Sequence, residues 1–324
     1  MRYVSTRGGD DATFAQAISR GYARDGGLYM PERIPQISLE ELKSWRAHSY
    51  AQLCEEVLAK FVADEIPRED LARIMARCFA GFSQECVVPL TLLKGRADAA
   101  DVWVAELFHG PSLSFKDFGQ QVLCGLLDYF ARRDQQTVSL LVATTGDTGP
   151  AAISAAAGLQ SLQLVVLYPL GQISRFQELQ MITEDARNVR VFAFEGGGDD
   201  MDAPIKALST DHSFQEKHRL SSVNSINIGR VLAQLVHYFW SYLRAIEKKK
   251  LLKIGTPIQF AVPCGALGNA TAGLLAKSMG LPVSRFLCAT NINDIFHRAI
   301  EKNDFSRHPH MLRTLSEAIN IQVP

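Results

Sequence analysis

The chain has 324 residues, 47% hydrophobic and 21% charged, and its 34 Lys plus Arg are balanced by 34 Asp plus Glu. A net charge near zero argues against a general binder of nucleic acid or anionic membrane, and no apolar run is long enough to span a bilayer. The length suits two domains, or one large α/β domain with an appendage. The stretch Met1 to Asp10 is polar and has no apolar signal core. Arg2, Arg7, Arg20 and Arg24 would suit a transit peptide, but Asp10, Asp11 and Asp25 oppose one. Cys54, Cys78, Cys86, Cys124, Cys264 and Cys288 form no CxxC pair, so reduced thiols and a cytoplasmic setting are expected.

Residues 1–82 read as a mainly helical domain. Ser38-Leu39-Glu40-Glu41 has the form of a capping box. Leu53, Val57, Leu58 and Phe61 make a helical stripe. Pro67 starts another helix, with Leu71, Ile74, Met75 and Phe79 on one face and Gly81 at its end. Residues 83–324 change character, with short β-branched runs alternating with helices. The strand-like runs are Val102–Leu107, Val138–Ala143, Leu162–Tyr168, Val189–Phe194, Ile258–Val262 and Phe286–Ala289. Such alternation implies an α/β fold with a parallel sheet covered on both faces. The run Lys248-Lys249-Lys250, with Lys253, reads as a solvated loop.

Parallel α/β sheets place ligands at the carboxyl ends of strands, and the unusual residues lie there. The segment Glu106 to Asp117 follows a strand and holds Lys116 between Phe115 and Phe118. A desolvated lysine becomes a nucleophile toward an aldehyde; a solvated lysine at a helix start satisfies the same spacing. Thr144-Thr145-Gly146-Asp147-Thr148-Gly149 joins a strand to a helix whose first turn holds Pro150 and whose end is Gly158. It suits an anion or a polar ring substituent, and equally a plain turn capped by Asp147 or Thr148. Pro263-Cys264-Gly265-Ala266-Leu267-Gly268-Asn269 repeats the design as a phosphate cradle, without the Lys-Ser/Thr of a Walker loop. Asn224-Ser225-Ile226-Asn227-Ile228-Gly229-Arg230 sets polar groups before an apolar helix. Arg230 there is either an anion fork or a solvated arginine.

Other features read as bland. His308-Pro309-His310 lacks a third ligand, so no metal is expected. His237 reads as a core or edge residue. Glu195-Gly196-Gly197-Gly198-Asp199-Asp200 reads as a flexible loop rather than a calcium site.

The segment Phe108 to Asp117 resembles the pyridoxal-phosphate (PLP) lysine signature of threonine synthases, FHGPTLAFKD. Thr144–Gly149 is similar to the family's TSGDTG, Asn224–Arg230 to NSINWAR, and Pro263–Gly268 to PTGNFG. Tyr3–Gly8, Asp25–Pro31, Asn293-Asp294 and Thr314–Ile319 also fit, so the resemblance runs along the whole chain. It implies the fold-type II PLP architecture, the class of tryptophan synthase β, with an extra N-terminal domain. It further implies that Lys116 forms the Schiff base and that Gly265, Ala266, Leu267, Gly268 and Asn269 hold the cofactor phosphate. Thr145, Gly146, Asp147 and Thr148 would line the substrate and the cofactor ring. Ser112, Ser114, Thr144, Asn224, Ser225, Asn227 and Arg230 would meet the substrate's phosphate or carboxylate.

The implied activity is conversion of O-phosphohomoserine and water to threonine and phosphate, by a monomer or homodimer. The alternatives are a phospho-lyase giving a 2-keto acid and ammonia, or an inactive family member. Ala266-Leu267 replaces Asn-Phe, Thr145 a serine, and Ile228-Gly229 Trp-Ala. Family members continue well past the position of Pro324. The core is therefore expected to be incomplete at its C-terminal end, without the group that faces the pyridine nitrogen.

Overall fold

The computed structural model describes residues 1–93, 101–196, 200–201, 204–205, 207–208, 211–249, 252–306, 308, 312 and 314–316. The chain opens with a small antiparallel sheet of β1 (Tyr3–Ser5), β2 (Asp11–Ala12) and β3 (Tyr29–Pro31), in the order β2-β1-β3. Strands of two or three residues carry too little alternation to be read from sequence. Four helices accompany them: α1 (Phe14–Arg20), α2 (Leu39–Ser44), α3 (Tyr50–Val62) and α4 (Arg68–Phe79).

The Ser38 capping box is half formed. Ser38 Oγ accepts from Glu41 N at 3.1 Å, while the Glu41 carboxylate pairs with Lys60. Gly81 does not cap α4. Ala80 N bonds back to Arg77 O at 3.3 Å, which tightens the last turn and leaves no place for a left-handed residue.

The α/β part begins with an antiparallel pair, β4 (Leu90–Leu93) and β5 (Val102–Ala105), so the strand expected to reach Leu107 stops two residues earlier. It continues through α5 (Lys116–Arg133), β6 (Val138–Ala143), α6 (Thr148–Ala156), β7 (Leu162–Pro169), α7 (Arg175–Ile182) and β8 (Val189–Phe194). Then follow α8 (His212–His218), β9 (Leu220–Ser221), α9 (Ile228–Lys248), β10 (Ile258–Pro263), α10 (Gly268–Ser278), β11 (Val283–Ala289) and α11 (Ile295–Lys302).

The parallel strands form two sheets among the described residues: β8-β7-β6-β9, and β10 with β11. Helix α9 packs on α3, α5 and α10 and is buried nearly all round, including Val231, Leu235, Tyr238 and Tyr242. A helix apolar on every side belongs at a core centre. The hydrophobic core is continuous from Tyr3 and Phe14 through Phe61 and Phe118 to Phe239 and Val283.

Polar ties join the early helices to this core. The Glu65 carboxylate accepts from Phe14 N and Ala15 N at 2.8 and 2.9 Å. Asn227 Nδ2 donates to Ile18 O at 2.7 Å, and Ile37 N to Met279 O at 2.8 Å. No helix among the described residues is long and apolar enough to cross a membrane.

Candidate active site

A cavity of about 320 Å³ lies where the starts of α5 and α9 meet the β10–α10 loop. Lys116, Ser225, Arg230 and Gln234 line it, together with the loop from Pro263 to Ala270.

Lys116 is the first residue of α5, and no side chain caps that helix start. The turn ahead of it is strained, with Leu113 at φ 62°, the left-handed region that a side chain resists. Asp117 holds the turn closed. Its Oδ2 accepts from Ser112 N at 2.9 Å, and a Cβ on Gly110 would strike the same carboxylate. Burial pushes the Lys116 amine down to about 8, the Arg230 charge adds to the shift, and Asp147 opposes it.

Arg230 is buried and donates from Nη1 to Val223 O at 3.1 Å. Its Nε has no partner among the described residues. Burial pushes the guanidinium down to about 10. Neither Lys116 nor Arg230 is ion-paired with a carboxylate among the described residues. Two cations therefore face one cavity with the Asp147 charge nearby but no ion pair among the described residues, an arrangement that favours an anionic occupant.

The opposite wall is the start of α10. Leu267 sits at φ 50°, again left-handed, and supplies no side-chain cap. Gly268 N donates back to Ala266 O at 2.5 Å and Thr271 N to Leu267 O at 2.8 Å, so among the described residues the amides of Asn269 and Ala270 are the ones left for a ligand, as at an anion seat at a helix start. Asn269 is fixed from behind: its Oδ1 accepts from His237 Nε2 at 2.8 Å and from Tyr238 Oη at 3.0 Å. Burial drives His237 down to about 4, so it is neutral there.

The Thr144–Gly149 loop leaves the carboxyl end of β6 on the other sheet. Its capping group is Thr144, not Asp147 or Thr148: Thr144 Oγ1 accepts from Gly146 N and Gly149 N at 3.1 and 2.9 Å. Asp147 Oδ1 instead accepts from Gln177 Nε2 at 2.8 Å. Gly146 adopts φ 144° and has no room for a Cβ, which would stand 2.5 Å from Gln177 Nε2.

Of the residues singled out from sequence, the cavity brings together Lys116, Ser225, Arg230 and Gly265 to Asn269. Thr145, Asp147 and Thr148 do not line it; Asp147 reaches Lys116 through its charge. Ser112 and Thr144 are buried, with backbone N–H or hydroxyl committed within their loops. Ser114 Oγ accepts from Lys116 N at 3.3 Å. Asn227 points away, bonded to Ile18 O and Ser222 O, and Asn224 O accepts from Asn227 N. Gln234 and Tyr238 were not singled out from sequence, and His237, expected as a core or edge residue, is buried and also holds Asn269. With Arg230 they recur at helical spacing on one face of an otherwise apolar α9, which was the available signal. His308 contacts Asp294, and no metal-binding cluster occurs among the described residues; His310 and Gly197–Asp199 lie outside them.

Asp117 is fully buried, and desolvation lifts its carboxyl to about 6 despite its hydrogen bonds. A carboxyl raised on folding binds more protons in the folded state than in the unfolded one. Stability is therefore expected to fall as pH rises from about 4 to about 6, and then to level off. Asp117→Asn should remove that slope, as read from denaturant midpoints across the window. An unchanged slope would assign it elsewhere.

The β/α order, the lysine at a helix start and the glycine cradle across the cavity define a fold-type II PLP architecture. A family model described as "Threonine synthase N terminus" matches residues 2–79. The chain is 40% identical to Threonine synthase-like 2 of Xenopus laevis, over 100% of this chain and 67% of that protein. It is 39% identical to threonine synthase of Pseudomonas aeruginosa, over 100% of this chain and 66% of that one. The PLP-bound threonine synthase of Brucella melitensis superposes with a TM-score of 0.91 at 36% identity, covering 100% of this chain and 67% of that one. The chain belongs to the threonine synthase family and spans about two thirds of the length of the curated relatives it matches.

Proposed function

We propose that this chain is a PLP-dependent enzyme acting on a phosphorylated amino acid, and that it converts O-phosphohomoserine and water to threonine and phosphate. One observation carries the reading: the Lys116 amine and the Arg230 guanidinium face a single cavity whose far wall is an uncapped helix start. The residues present fit the cofactor. The backbone of Gly265 to Asn269 would hold its phosphate, and an amine pushed down to about 8 suits attack on its aldehyde. When bound, the cofactor supplies an electron sink for charge developing at the substrate's α and β carbons.

The protein's own groups do the rest. Lys116, its amine pushed down to about 8 by burial, would take a proton from substrate carbon and return it. Arg230 would orient the substrate phosphate or carboxylate with its fork of donors. Thr145 and Thr148, in the loop at the carboxyl end of β6, do not line the cavity and would reach the substrate only from that loop. Six free cysteines support a reducing, cytoplasmic setting.

A second reading is phosphate elimination to a 2-keto acid and ammonia. It is favoured by Ala266, which stands exposed in the cradle and offers no side-chain donor to retain an intermediate. The deciding assay loads the full chain with PLP, adds O-phosphohomoserine, and separates threonine from 2-ketobutyrate while following phosphate. Phosphate and threonine in equal amounts are expected. 2-Ketobutyrate with ammonia would select elimination, and no phosphate release would sink both readings.

A further inference from the structure

Helix α7 lies outside the cavity yet reaches both loops that flank the reactive lysine. Gln177 Nε2 donates to Asp147 Oδ1 at 2.8 Å. Gln180 Nε2 donates to the carbonyl of Ser112, in the turn that leads into Lys116, at 3.0 Å. The two glutamines are three residues apart and share a helix face.

The amide of Gln177 is held in one orientation. Its Oε1 accepts from Ser174 N at 3.3 Å and from Ser174 Oγ at 2.9 Å, completing the capping box of α7, so its NH2 is turned to Asp147. The side chain fills the space that Gly146 leaves open. One turn on, buried Met181 occupies the corresponding space over Gly149. The other side of α7 carries exposed Phe176 and Leu179. A helix of eight residues is marginal alone, so these inward contacts hold it in place.

We propose that α7 is a clasp: Gln177 and Gln180 are positioning residues that tie the Thr144–Gly149 loop to the Ser112 turn, so that displacement of either loop by a ligand is passed to the other. The proposal rests on the function above only for the identity of that ligand. Asp147 is the carboxylate whose charge opposes the desolvation of Lys116. The clasp therefore also fixes where that charge stands.

The test is amide hydrogen exchange on the full chain. Gln180→Leu removes only the donor to Ser112. Gln177→Glu keeps the acceptor that caps α7 but turns a carboxylate toward Asp147. Gln180→Leu is expected to speed exchange about tenfold at Gly146 and Gly149, whose amides it does not touch. Gln177→Glu should do the same at Ser112, with the central amides of α9 unchanged in both. After PLP loading, borohydride should trap the cofactor on Lys116 as fully as in the wild type. The O-phosphohomoserine concentration that shifts the cofactor absorption should rise about tenfold. Acceleration confined to each variant's own loop would overturn the clasp, as would acceleration spread through α9. If the wild type traps no PLP, the proposed function fails while the cross-loop exchange still decides the clasp.

Discussion

Lys116→Ala is expected to abolish covalent capture of PLP. Borohydride reduction followed by peptide mapping should place the cofactor's mass on Lys116 in the wild-type chain and nowhere in the variant. The argument is local. Lys116 borders the cavity, and its amine, pushed down to about 8, is already a good nucleophile. Turnover should fall by roughly 10²–10⁴-fold or more, because the proton carrier goes together with the anchor. The fold should survive, since the side chain is in no ion pair among the described residues and alanine favours the helix that starts there. Below about pH 8 the variant also escapes the cost of keeping a charged amine out of water, so its thermal midpoint should not drop. Capture on another lysine, to the same extent, would remove Lys116 from the centre of the mechanism.

Arg230→Met is expected to separate stability from binding. The guanidinium is buried and, among the described residues, has no carboxylate partner and one unsatisfied nitrogen. An uncompensated buried charge is costly, and replacing it with an apolar chain of similar length relieves that cost. The Cβ and Cγ of the stem lie against Gly119, where an added Cβ would stand 3.3 Å from each, and methionine keeps that contact. Val223 O loses one donor but retains Gln120 Nε2 at 3.0 Å. The unfolding midpoint should hold or rise. Affinity for O-phosphohomoserine should fall by some 30-fold or more, the roughly 2–5 kcal/mol lost when one side of a buried charge pair is removed. Calorimetric titration and thermal denaturation on the same sample would check both arms. A lower midpoint with unchanged binding would make Arg230 a structural residue.

Much of this architecture was legible because parallel strands are written as short apolar runs, and β8 and β10 keep that pattern although most of their residues are only partly covered or exposed. β6, β8 and β10 begin where the pattern placed them, and β7 extends one residue further, to Pro169. The Tyr3–Ser5 sheet and the two-residue β9 were not legible, since they depend on partners far along the chain rather than on local pattern. The same divide runs through the candidate site. Lys116, Arg230 and the Gly265–Asn269 loop stand out by residue type at strand ends. Gln234, His237 and Tyr238 sit inside an apolar helix, where a polar residue reads as a satisfied core group. Only the fold shows that Asn269 is what satisfies His237 and Tyr238. Asn227 erred in the other direction: its polar side chain, next to a suspected substrate residue, serves Ile18 O instead.

That last contact bears on how such a chain can change over evolutionary time. Asn227 caps the helix that carries Arg230, and its amide is anchored by a carbonyl contributed by α1. The first 79 residues are therefore tied by hydrogen bond to the helix that carries Arg230. A recombination joint placed after α4 would bring together an Asn227 and an α1 with no shared history, and any mismatch would be felt at the helix bearing the cavity's buried cation.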